Sequence, residues 1–232
     1  MKDKNVITIG ALLLLVVLAI LLYFNLGDKD KGYQNFEELK ENEVEGEDYT
    51  IHYEETNSDV LLLAIHGGGI EPGTTELIKE LAKNNDYAYY SFNGIKKSGN
   101  RSMHLTSTMY DEPKALEMIE NSSITLSVHG YDDKLEKHTF IGGLDKELAD
   151  QVKLALQDAG FSASLALKNL AGLKKENIVN QNKQGKGVQI EISTAQREAF
   201  FKDNDLASEN RKQPEDEFYH YIDAIESVLK ND

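Results

Sequence analysis

The chain has no cysteine among its 232 residues, and it is poor in positive charge. Without cysteine there is no disulfide and no thiol to carry a lipid, so the fold must rest on its hydrophobic core. The 25 Lys and Arg residues stand against 40 Asp and Glu, a net charge of −15, and no basic cluster interrupts the excess. That balance argues against nucleic acid as a partner. A third absence is the Gly-x-Ser-x-Gly nucleophile elbow, which removes serine-hydrolase chemistry of the lipase and esterase kind. No internal repeat is present, and the roughly 200 residues after the N-terminal segment suit one domain, expected as a monomer.

What is present begins with an apolar run. Val6 to Phe24 carries no charge, and about 20 apolar residues suffice to cross a bilayer as a helix. Lys2 and Lys4 precede the run, whereas Asp28-Lys29-Asp30-Lys31 after it is balanced. The positive bias places the N-terminus in the cytoplasm and the remainder outside. A cleaved signal peptide, giving a secreted protein, is the alternative; its apolar core is usually about 7–15 residues followed by a small-residue cleavage site. Leu21-Leu22-Tyr23-Phe24-Asn25-Leu26 offers no such site. The expectation is one N-terminal transmembrane helix within residues 1–26, a single-pass anchor in the cell membrane with the working domain extracytoplasmic. Residues 27–48, rich in Asp, Glu, Lys, Asn and Gly, are expected as a polar spacer, leaving 49–232 as the domain.

From Tyr49 onward strand-like and helix-like stretches alternate, the pattern of an α/β fold with a mixed, mostly parallel central sheet flanked by helices. Val60 to Ile65 is apolar on both faces, as befits a central strand. Thr74 or Thr75 is expected to cap a helix with Leu77, Ile78 and Leu81 inward, and Asp111 to cap one over Glu112 to Glu120. Ile124 to His129 and Gly187 to Ser193 alternate with period two, while Leu148, Val152, Leu156 and Ala159 mark a helix begun by Asp145 and stopped by Gly160. Phe218, Tyr221, Ile222, Ile225 and Leu229 mark another.

His66-Gly67-Gly68-Gly69-Ile70-Glu71 follows the first of these strands and His129 ends a later one. Ligands in open α/β sheets lie outside the carboxyl ends of strands. Two imidazoles and one carboxylate are the donor set of a catalytic zinc site with a position left for water, and the glycines permit the tight path that brings His66 and Glu71 together. An ordinary strand-end histidine followed by a turn is the competing reading. His52, His138 and His220 are expected at the surface or in packing.

Several separated motifs then carry a resemblance. His66-Gly-Gly-Gly-Ile-Glu71-Pro-Gly-Thr74, Met103-His-Leu-Thr-Ser-Thr108 with Asp111-Glu-Pro113, Ser127-Val-His-Gly130, Ile141-Gly-Gly-Leu-Asp145, Asn177-Ile-Val-Asn180 and Gly187-Val-Gln-Ile-Glu-Ile192 occur in that order. They make the chain similar to the phage-type poly-γ-glutamate hydrolases, a zinc family related in fold to metallocarboxypeptidases, over roughly Tyr49 to Arg197. The resemblance implies His66, Glu71 and His129 as zinc ligands and Glu191 as the general base that takes a proton from attacking water. It implies γ-glutamyl amide hydrolysis in an anionic glutamate polymer; a cell-wall peptide is the alternative substrate, and a non-catalytic zinc-fold binding module the alternative class. Arg101 and His104 are candidates at the developing oxyanion, and His104, Gln189 and Lys97 for substrate contact. A polyanionic substrate demands local cations in so acidic a protein, and Lys96, Lys97, Arg101, Lys134 and Lys183 flank the motifs.

Overall fold

The strand β2, Val60–Gly68, is buried over almost its whole length, and its neighbours explain why. The computed structural model describes residues 32–167 and 170–230. In it, β1 (Tyr49–Glu54), β2, β3 (Ala88–Gly94), β4 (Ile124–Tyr131), β5 (Thr139–Gly143), β6 (Ala163–Leu165) and β7 (Val188–Ser193) form one seven-stranded sheet. Their order is β1-β3-β2-β4-β7-β5-β6, with β1/β3 and β5/β7 antiparallel and the other four pairings parallel. The mixed, mostly parallel sheet agrees with the sequence reading.

Each sheet face carries its own core. Val60, Leu62 and Ala64 pack with Leu126, Val128, Ile190 and Ile192 against the helices α2 (Thr74–Asn85), α4 (Lys146–Asp158) and α6 (Asp216–Leu229). Leu61, Leu63 and Ile65 pack on the opposite face with Tyr90, Phe92, Leu105, Ile119 and Leu39. Alternate residues of β2 thus bury into different layers, each Leu or Ile side chain contributing about 1.5–3 kcal/mol of transfer free energy. The remaining helices are α1 (Phe36–Asn42), α3 (Pro113–Glu120) and α5 (Thr194–Ala199).

Three local expectations differ from the structure. Residues from Tyr33 onward belong to the folded unit rather than to a spacer: α1 buries Leu39, and Phe36 meets the rings of Tyr49 and Phe92 edge-on. The polar surface of that segment hides a small apolar stripe. Helix α2 starts after Gly73 with no side-chain cap, because Thr74 Oγ1 donates to the Glu71 carbonyl and Thr75 Oγ1 to Asn93 Oδ1. Helix α3 is capped by Glu112, whose carboxylate accepts from the Lys114 and Ala115 N–H groups, while Asp111 accepts from the Phe36 N–H. The apolar run Val6 to Phe24, and with it the expected anchor, lies outside the described residues; among those described, no helix is long and apolar enough to cross a membrane.

Candidate metal centre and active site

The path of the glycine-rich loop creates the centre. The pairing of β2 with β3 slips between Ala64 and Gly67, a bulge of the kind that re-aims a side chain at a strand end. Gly68 has φ of +65° and packs against the backbone of Gly94, a conformation and a contact that favour glycine. The Gly69 N–H then bonds the Gly94 carbonyl and the Glu71 N–H returns to the His66 carbonyl, both at 2.8 Å. His66 and Glu71, five positions apart in sequence, therefore face one another.

His66 Nδ1 lies 3.1 Å from His129 Nδ1 and 3.2 Å from Glu71 Oε1, and His129 Nδ1 lies 3.5 Å from Glu71 Oε2. His66 Nε2 is 2.6 Å from the Leu105 carbonyl. A carbonyl only accepts, so Nε2 carries the proton and Nδ1 presents its lone pair to the carboxylate. Converging lone pairs in a buried place call for a cation. The three separations are close to those of donors on a tetrahedral zinc, which stand about 3.3–3.6 Å apart when each is about 2.0–2.2 Å from the ion. Ser127 Oγ holds the far nitrogen of His129 at 2.8 Å, so both imidazoles have outer partners fixing ring orientation, as metal-ligating histidines do.

His104 joins this group rather than standing apart from it. Its ring stacks on that of His66 with centroids 3.7 Å apart, and its Nε2 is 3.3 Å from Glu71 Oε1. Donor atoms of His66, Glu71 and His104 all lie within 4.8 Å of one another. Expected near a substrate oxygen, His104 lines the cavity and is brought beside His66 and Glu71 by the turn Asn100–Met103, where it could also offer a donor.

Burial drives the electrostatics. It opposes ionisation of Glu71, but the three imidazoles around the carboxylate, His66 first and then His104 and His129, outweigh it and hold the carboxyl well below its usual range. Burial likewise lowers His66, partly offset by Glu71. For His129 burial is overcome by Glu71 and Glu191, and its pKa is raised. Glu191 pairs in register with His129 across β4 and β7; burial first, with Glu71 nearby, pushes its pKa up to about 7.

These groups line a cavity of about 800 Å³ walled by the ends of β2 and β4, by β7 and by the segment that follows β3. Arg101 and Lys134 line it as well, so two of the five cations expected from sequence reach the site. Lys96, Lys97 and Lys183 are not among its lining residues. Lys96 is paired with Glu43 at 2.6 Å, its neighbour Lys97 is exposed, and the Lys183 N–H bonds the Ser122 carbonyl at the opposite end of β4. Lys174 and Arg197, which sequence reasoning did not single out, do line the cavity. Gln189, also expected at the substrate, does line the cavity; it is 4 % exposed, and its amide accepts from Asn177 and donates to the Glu191 carboxylate.

The sequence profile of the poly-gamma-glutamate hydrolases matches residues 33–224. The chain belongs to the poly-γ-glutamate hydrolase family. A bacteriophage poly-gamma-glutamate hydrolase has a similar structure, with a TM-score of 0.85 and 39% identity over 87% of this chain and 97% of that one. A zinc-free apo structure of YndL superposes with a TM-score of 0.81 and 42% identity, covering 87% and 98%. The UPF0714 protein YmaC of Bacillus subtilis is 41% identical over 231 residues, 94% of this chain and 96% of its own length. The family is one of enzymes, and the His/Glu cluster of this hydrolase is a donor set that fits zinc.

Proposed function

We propose that this hydrolase cleaves γ-glutamyl amide bonds of poly-γ-glutamate, with Glu191 as general base and a zinc ion held by His66, Glu71 and His129, beside which His104 offers a further donor. The observation that carries the reading is Glu191 itself. A carboxylate inside a central strand, 7 % exposed and beside His129 in register, accepts from the Gln189 amide that orients it and meets no lysine or arginine ion-pair partner among the described residues. With its pKa pushed up to about 7 it is poised to take and return a proton near neutrality.

Zinc bound by these donors supplies Lewis acidity that polarises the amide carbonyl and acidifies water. The protein's own residues do the rest. Glu191 takes the proton of the attacking water and hands it to the leaving amine. Arg101, at the cavity wall, is a donor for charge developing on the carbonyl oxygen. Lys134 and Lys174 supply the local positive charge that a glutamate polymer needs in a protein of net charge −15. Residues 1–26 anchor the enzyme in the cell membrane with this site outside, a reading supported by Lys2 and Lys4 ahead of the apolar run; protease added to intact cells should then remove the domain.

The decisive experiment follows the chain length of poly-γ-glutamate incubated with the protein, with and without a chelator. Chelator-sensitive shortening is expected. Intact polymer alongside cleaved cell-wall peptides would overturn the substrate, and a zinc-loaded protein inert toward both would overturn the catalytic reading.

A further inference from the structure

Arg197, on α5, is 5 % exposed, yet every hydrogen-bond partner of its guanidinium is neutral. Nε donates to the Ile192 carbonyl at 3.1 Å, Nη1 to the Pro72 carbonyl at 2.8 Å, and Nη2 to the Tyr131 carbonyl at 3.3 Å and to Thr194 Oγ1 at 3.2 Å. A charge buried so deeply without an anion at contact is costly, and its place in the chain indicates what it does. Pro72 directly follows Glu71, and Tyr131 directly follows Gly130, whose N–H donates to Glu71 Oε2 at 2.9 Å. One guanidinium therefore joins the loop that carries the carboxylate to the strand that grips it.

Gly130 points to the same role. Its φ is not positive, so the backbone does not demand glycine. A Cβ there would lie 2.5 Å from Cζ, 2.6 Å from Nε and 2.8 Å from Nη2 of Arg197. The glycine makes room for the arginine.

We propose that Arg197 is the positioning residue of the metal centre. It sets the separation of the Glu71 loop from the end of β4, and so the aim of the Glu71 carboxylate; this rests on the reading of Glu71 as a ligand. The role belongs to the planar fork and not to the charge alone, because a lysine ammonium cannot reach the carbonyls of Ile192, Pro72 and Tyr131 from one nitrogen.

The test titrates zinc into the metal-free protein and compares it with Arg197→Lys, Arg197→Met, Gly130→Ala and Glu71→Ala, with thermal unfolding of each metal-free form as a check on folding. Removing a residue that orients a metal ligand typically weakens affinity about 10–100-fold. That loss is expected for both arginine variants, with lysine no better than methionine, and for Gly130→Ala, which keeps Arg197 but displaces it. Should Arg197→Met fail to fold, Gly130→Ala and Arg197→Lys still decide. Wild-type zinc affinity in folded Arg197→Lys and Gly130→Ala, with affinity lost in Glu71→Ala, would overturn the proposal. Wild-type affinity in Glu71→Ala would instead overturn the ligand assignment beneath it.

Discussion

Gln189 donates its amide N–H to Glu191 Oε1 at 2.8 Å, from two positions earlier on the same strand. Its own oxygen accepts from Asn177 Nδ2 at 2.7 Å, which fixes the amide the right way round. The pair is a buried relay ending on the carboxylate that the mechanism needs, and it ties the loop around Asn177 to the cavity floor.

Gln189→Ala should consequently lower kcat and leave KM nearly unchanged. A hydrogen bond to a charged group is worth about 1.5–3 kcal/mol, so the expected loss is about 10–100-fold. Steady-state kinetics on poly-γ-glutamate separate this from a substrate contact, for which KM would rise instead.

Glu191→Gln keeps the shape of the side chain and removes the base. Zinc binding should persist while the rate falls by about 10²–10⁴, the usual worth of a general base. Normal turnover by this variant, measured with its zinc content, would refute the assignment.

The raised pKa of Glu191 makes a stability prediction of definite sign. A carboxyl shifted up from 4.5 to about 7 in the folded state binds its proton more tightly there than in the unfolded chain. Its contribution is greatest below the unfolded value and is lost as pH rises through about 7. In metal-free protein, Glu191→Gln should therefore gain on wild type as pH goes from about 4 to about 8, by about 3 kcal/mol. Paired denaturant titrations at the two ends of that range measure it; a pH-independent difference would contradict the shift.

Cations that line the cavity should matter for a polyanion and those that do not should not. Lys134→Ala and Lys174→Ala are each expected to raise KM a few-fold at low salt, with the effect shrinking as salt is added. Lys97→Ala and Lys183→Ala should behave as wild type. Equal sensitivity across all four would mean that general charge, and not the cavity wall, attracts the substrate.

Much of this molecule was legible from residue patterns because the patterns are local. Continuous apolar character marked β2 as central, period two placed His129 and Glu191 on strands, and helical spacing located α4, with its Asp145 cap, and α6. Three glycines between a histidine and a glutamate implied a tight loop, and tight loops bring their own ends together. The overall acidity likewise required that any cations for a polyanion be concentrated at the site. In each case the cause acts over a few residues or over the whole composition.

Tertiary structure alone decided the rest, because contacts between distant segments leave no periodic trace. Strand pairing set His129 against Glu191, 62 positions apart by their numbers. The turn after β3 swung His104 onto the ring of His66, and the path of the loops left Lys97 off the cavity wall while the approach to Asn177 brought Lys174 in. Nothing in the sequence sets Arg197 apart from the other charged residues. Only the packed sheet reveals that its guanidinium joins Pro72, Tyr131 and Ile192 beneath Gly130, since backbone carbonyls have no sequence signature.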